Sequence, residues 1–245
     1  MIKINRLIQN TNRAIKLLSA LFYIFIPVLA LGEKTNINTG DYLSQDYLEI
    51  IDATKSPAKA ASKLFDEPAS ITATKAKEGI DLILLYNFHE GGAGLHVSET
   101  EKVSILWSGG GDFSNASITV NSDNSFVLRY GKRKDIRYIH IGDQRRFVEK
   151  KVLVGNYVDL KGIRYYFDEN GWATFGPDKF QYEIGLDYVE RAFVERSTKD
   201  YFQNIKTRDL FEFEIIDGSL ILYRTSGEMA EIVDKTPFAT LRKID

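Results

Sequence analysis

The stretch Asp209-Leu-Phe-Glu-Phe-Glu-Ile-Ile-Asp-Gly-Ser-Leu-Ile-Leu-Tyr-Arg224 decides the fold. In its first half Phe211, Phe213 and Ile215 fall on one face, and Leu210, Glu212, Glu214 and Ile216 on the other. A period of two with one dry and one mostly wet side marks a strand of an antiparallel sheet. Asp217-Gly218 then supplies residues that tolerate the positive φ of a tight hairpin. Ser219-Leu-Ile-Leu-Tyr223 runs back as a more continuously apolar, central strand.

The same pattern extends on either side of this hairpin. Upstream, Val103–Trp107, Ser117–Val120, Phe126–Tyr130, Ile136–Ile141, Val152–Val158, Arg164–Asp168, Trp172–Phe175 and Phe180–Leu186 read as short strands. Ile71–Ala76, Leu82–Phe88, Glu231–Val233 and Ala239–Ile244 complete the set, with turn residues at Asp123-Asn124 and Glu169-Asn170-Gly171. Many short strands at even spacing predict a mainly β protein, an antiparallel barrel or sandwich of one large or two small β units. One helical stretch precedes them. Tyr42, Leu43, Tyr47, Leu48, Ile50 and Ile51 recur with helical spacing over Asp41–Leu64, capped by Thr39 or Asp41 and broken at Ser56-Pro57. The predicted organisation is a leader over 1–32, a helical segment over 33–66, and β units over 67–150 and 151–245. Gly-Asp/Asn-aromatic recurs at Gly40-Asp41-Tyr42, Gly111-Asp112-Phe113 and Gly155-Asn156-Tyr157, a faint internal echo.

Residues 1–32 contain Lys3, Arg6, Arg13 and Lys16 and no acidic residue; the uncharged run Leu17–Gly32 follows. A basic start, a short apolar run and small residues at Ala30 and Gly32 predict a signal for export, cleaved or kept as an anchor. The run is short against the ~20 residues that cross a bilayer. The whole chain has 32 basic and 34 acidic residues. Loss of the four leader cations moves its net charge from −2 to −6, which argues against a nucleic-acid partner. The chain has no cysteine. Disulfides, thiolate metal sites and cysteine nucleophiles are therefore excluded, so a periplasmic or secreted domain must be held by its core alone.

Few residues are arranged for chemistry. His89-Glu90 and His96 lie in a glycine-rich stretch that cannot hold the helix on which a His-Glu-x-x-His zinc site depends. Trp107-Ser108-Gly109-Gly110-Gly111 lacks the Lys-Ser/Thr of a phosphate loop and the elbow of a serine hydrolase. No cofactor, metal or catalytic residue is assigned on these grounds. Charge is more informative. Arg129 to Lys151 holds nine basic residues against Asp135, Asp143 and Glu149. Lys132, Arg133, Lys134 and Arg137 within it form a candidate anionic-surface or lipid-headgroup contact; the alternative is a solvated edge that deters strand pairing.

In the second half, Gly155-Asn156-Tyr157 opens a strand, Arg164-Tyr-Tyr-Phe-Asp-Glu-Asn-Gly-Trp172 forms a hairpin, and Asp187-Tyr188 follows. On these residues Leu153 to Ile244 resembles the lipocalin-like (calycin) β-barrel proteins. Tyr157 stands where that family has tryptophan, and Leu186 where it has threonine. The whole chain also resembles exported proteins of Gram-negative bacteria. The resemblance implies a cup-shaped barrel that takes a small apolar ligand. Tyr165, Phe167, Trp172, Phe175, Phe180 and Tyr182 would line either its pocket or its core, since both use the same inward positions. The expected function is an exported, non-enzymatic binding protein that holds an apolar small molecule or docks on an envelope partner. The alternatives are a periplasmic hydrolase with a site near His89 and Glu90, and a structural or inhibitory envelope protein.

Overall fold

A computed structural model describes residues 37–64, 66–86, 88, 90–109, 112–133, 135–187, 199–226, 232–233 and 236–244. The predicted leader, His89, Lys134 and Tyr188 lie outside the described residues.

Gly40 opens strand β1 (Gly40–Ser44) with a φ of +116°. Its bare Cα lets the chain pass close to the Gly142 carbonyl, which a Cβ would approach at 3.2 Å. Tyr42 and Leu43 are both fully buried, on opposite faces of β1. The expected helix over Asp41–Leu64 is corrected here. Its first four residues are strand, because a strand buried on both faces carries the same run of apolar residues as a helix start. Ser44 ends the strand and caps α1 (Gln45–Thr54), its hydroxyl accepting from the Tyr47 N–H at 3.2 Å. Lys55, at φ +52°, closes that helix, and Ser56 caps α2 (Pro57–Lys63) with Pro57 in its first turn.

Seven strands follow: β2 (Ser70–Lys75), β3 (Ile80–Tyr86), β4 (Glu90–Val97), β5 (Val103–Ser108), β6 (Ser117–Val120), β7 (Phe126–Arg129) and β8 (Ile136–Gly142). They form an antiparallel sheet in the order β5-β4-β3-β2-β1-β8-β7-β6. The last strand thus returns to the first, and β5 and β6 are left as edges. Tyr42, Phe113, Phe126, Tyr130 and Tyr138 fill the core of this sheet.

Asp143 caps α3 (Gln144–Val152), where strand was expected from Val152; the strand begins three residues later. A second meander then runs through β9 (Gly155–Asp159), β10 (Arg164–Phe167), β11 (Trp172–Phe175), β12 (Asp178–Ile184), β13 (Asp200–Asn204), β14 (Leu210–Ile216), β15 (Ser219–Ser226) and β17 (Ala239–Ile244). Each pairs antiparallel with the next, and β17 returns to β9, so the ring closes into an eight-stranded barrel. The two-residue β16 (Ile232–Val233) adjoins β15 outside the ring. No helix among the described residues is long and apolar enough to cross a membrane.

One end of this barrel is plugged. Tyr47, Ile51 and Ala60 of the first two helices, and Val148 and Val152 of α3, share a core with Phe167, Tyr182, Phe202 and Phe213 of the barrel. Polar contacts fix the plug at the same rim. Tyr47 donates to the Leu186 carbonyl at 2.8 Å, and Asp200 accepts from the Ala58 N–H at 2.8 Å. The Ile184 N–H donates to Glu149 at 3.2 Å.

Candidate functional site at the open end of the closed barrel

The strand register sorts the barrel's side chains into layers. Phe167 lies opposite Ala173, Phe202 opposite Ile184 and Phe211, and Phe213 opposite Leu222. Phe167, Tyr182, Phe202 and Phe213 have no exposed surface; Phe167 meets Phe202 and Tyr182 edge to face, with centroids 5.5 and 5.2 Å apart, and Phe213 lies tilted against Phe202 at 6.2 Å. They form a floor. Above it, toward the end away from the helices, stand Tyr165, Phe175, Phe180, Phe211 and Phe238. Phe175 is their hub: 5.0 Å from Tyr165 and Phe180, 6.0 Å from Phe211 and 6.3 Å from Phe238. These rings border a cavity of about 810 Å³ that is open to solvent at the rim and whose lining also takes in Trp172, Lys179 and Gln181 from the outer face of β11 and β12.

The six aromatics singled out in the sequence thus divide. Tyr165, Trp172, Phe175 and Phe180 line the cavity, whereas Phe167 and Tyr182 lie in the filled floor beneath it. Alternation places Trp172 on the outer wall, where the Lys179 ammonium stands 5.0 Å from its ring centroid. Sequence reasoning missed Phe211, Phe238, Arg224 and Lys206 as cavity residues. Phe211 was legible as inward-facing. Lys206 is on a turn, and Phe238 lies past a long connection whose path no pattern gave.

Buried titratable groups gather at the plugged end. Burial raises the Asp200 carboxyl to about 7, against the lowering effect of its hydrogen bonds to Ala58 and Ser56. Burial likewise raises Glu149, whose carboxylate is opposed by Arg146 at 2.5 Å. The Tyr182 hydroxyl, buried and without a hydrogen-bond partner among the described residues, is raised by burial and by the nearby Glu149 charge. Gly171 is required beside this group: at φ +78° it leaves the space through which the Arg146 guanidinium passes.

The basic segment is largely neutralised locally. Arg129 meets Asp135 through two bonds of 2.7 Å, and Arg137 meets Asp123 at 2.5 Å. Arg133 donates to the Asp66 carbonyl, and Lys132 is exposed. On α3, Arg145 pairs with Glu183, Lys150 with Glu169 at 3.0 Å and Lys151 with Asp52 at 2.7 Å. Asp135 is counted in the sum along the segment, but Asp123, Glu169, Glu183 and Asp52 lie outside it in sequence and are brought to it by the fold.

His96 pairs through Nδ1 with Asp81 at 2.7 Å, and His140 contacts the Thr39 carbonyl at 3.1 Å through Nε2. Among the described residues no group of three or more His, Asp or Glu side chains is placed to hold a metal ion.

Fold and cavity together define a class: an eight-stranded antiparallel meander barrel, plugged at one end and open at the other. No family model, curated protein or solved structure matches the chain.

Proposed function

We propose that this chain is an exported, lipocalin-like binding protein whose closed barrel holds a small apolar molecule at its open end. The observation that carries the reading is the cavity of about 810 Å³, ringed by Tyr165, Phe175, Phe180, Phe211 and Phe238. That volume lies within the ~300–1,000 Å³ range of small-molecule sites, and the five rings give it the apolar wall such sites use, beside polar residues such as Arg224, Lys206 and Asp209 at the mouth. A rigid wall further supports it, since a ring of paired strands has no free edge to deform. Export rests on the basic and apolar pattern of residues 1–32.

Native mass spectrometry of the protein purified from the cells that make it tests the reading. The expected spectrum carries a small-molecule adduct that disappears on denaturation, on a chain shortened by its leader. A bare protein that also rejects neutral hydrophobic dyes would contradict it.

A docking role has one observation in its favour. Ile105, Leu106 and Trp107 on the edge strand β5 are 44%, 54% and 43% exposed, an apolar edge open to an added strand.

A further inference from the structure

We infer that the open end of the closed barrel selects a compact amphipathic anion: an apolar ring or short acyl chain carrying one carboxylate or phosphate, its charge held by Arg224 and Lys206. The inference rests on the binding reading above and adds the chemistry of the ligand. Arg224 lies opposite Phe211 in the β14–β15 ladder, so it shares the inward face of that ring. Its guanidinium stands 5.0 Å from the centroid of the Phe238 ring. Stacked this way, a guanidinium keeps its in-plane N–H donors available to a planar or tetrahedral anion. Among the described residues no carboxylate is within ion-pair distance of Arg224 or Lys206, whereas the arginines of the basic segment, Arg129 and Arg137, are paired with Asp135 and Asp123.

The two carboxylates of the lining do not outweigh its cations: Lys179, Lys206 and Arg224 stand against Asp178, at the start of β12, and Asp209, which accepts from the Thr207 hydroxyl at 2.5 Å. Nearby Asp159 is engaged by the Lys161 and Ile163 N–H groups at 2.9 and 2.8 Å. Depth sets the size of the ligand. The floor of Phe167, Tyr182, Phe202 and Phe213 is fully buried, leaving one layer of rings above it to take the apolar part. A long chain has no room to descend, and a cation would meet Arg224 unshielded.

A head-group series tests this on the full chain: decanoate, decyl phosphate, decanol and decylammonium, each titrated calorimetrically below its aggregation concentration. The two anions are expected to bind at least about 10-fold tighter than decanol, and decylammonium weakest. Comparison of decanoate with decyl phosphate says which oxyanion is preferred. Arg224→Gln should narrow the gap between the anions and decanol, and Arg224→Gln with Lys206→Gln should close it, with an unchanged far-ultraviolet circular dichroism spectrum and melting profile showing that the variants are folded. Equal binding of decanoate and decanol, in wild type and variant alike, would overturn the anion inference and leave the apolar cup standing. Failure of all four to bind would overturn both.

Discussion

In the second sheet β17 returns to β9 and the ring is closed, whereas in the first β8 returns to β1 but β5 and β6 remain apart. Both meanders have eight strands, and both begin at a glycine followed by a polar residue and a buried tyrosine, Gly40-Asp41-Tyr42 and Gly155-Asn156-Tyr157. They differ at the join. The β14–β15 pair that seals the second ring runs for six residue pairs, from Phe211–Arg224 to Ile216–Ser219. In the first sheet β6 has four residues and buries only Ile118, and β5 is exposed over most of its length. The comparison teaches where each surface is available. Closure turns the inside of the second sheet into a walled cup, while the open first sheet offers an edge and fills its interior with Tyr42, Phe126 and Tyr138.

The largest expected effect lies in the floor of the closed barrel. Phe202→Ala should cost about 3–5 kcal/mol in urea unfolding, because the wall around it cannot collapse into the space. A cost near 1 kcal/mol would mean that the barrel is pliant, and the contrast with the first sheet would break.

The next effect is pH-dependent. Burial holds Asp200 near 7 in the folded chain against 3.8 unfolded, so between these values the folded state binds the extra proton. Stability contributed by this site is therefore greatest at acid pH and is lost as pH rises from about 4 through about 7, by at most about 4 kcal/mol. Asp200→Asn keeps an acceptor for the Ala58 N–H and cannot titrate; thermal unfolding across this pH range should lose the fall that wild type shows. An identical profile in both proteins would show that Asp200 is ionised throughout.

Ser44 joins the two regions, ending β1 and capping α1 of the plug. Ser44→Ala should cost about 1 kcal/mol, read in the same urea experiment. The smallest effect is expected at the open join: Ile105→Lys on β5 should change stability by no more than about 0.5 kcal/mol. A loss above 2 kcal/mol would show that β5 is covered in solution.

Much of this arrangement was legible where a strand has one wet face, as at Leu210–Ile216, Trp172–Phe175 and Ser117–Val120, whose limits matched the observed strands. Even there Glu212, placed on the wet face, is buried. It was hidden where other forces ruled. Strand β4 (Glu90–Val97) shows no alternation because three of its positions are glycine. A Cβ at Gly91 or Gly94 would strike the Trp107 ring and one at Gly92 the Tyr86 ring, so the aromatics of neighbouring strands dictate the composition. The helix α3 is hidden among the charges of the basic segment, although Asp143 caps it and Val148 and Val152 bury one side. For the site, alternation named the inward aromatics but carries no depth. The helices that plug one end decide that Phe167 and Tyr182 are floor and Phe175 and Phe180 are wall, and those contacts join residues more than a hundred positions apart, such as Tyr47 and Leu186.

The chain's two tryptophans allow the central claim to be read in one spectrum, since Trp107 marks the open first sheet and Trp172, on the outer face of β11, borders the cavity of the closed barrel. Their indole N–H resonances, followed by nitrogen–proton correlation NMR as decanoate is added to the folded protein, report separately on the two regions. Binding in the cup predicts a saturable shift of the Trp172 signal with Trp107 unmoved. A shift of Trp107 alone would place the ligand on the open sheet and contradict the account.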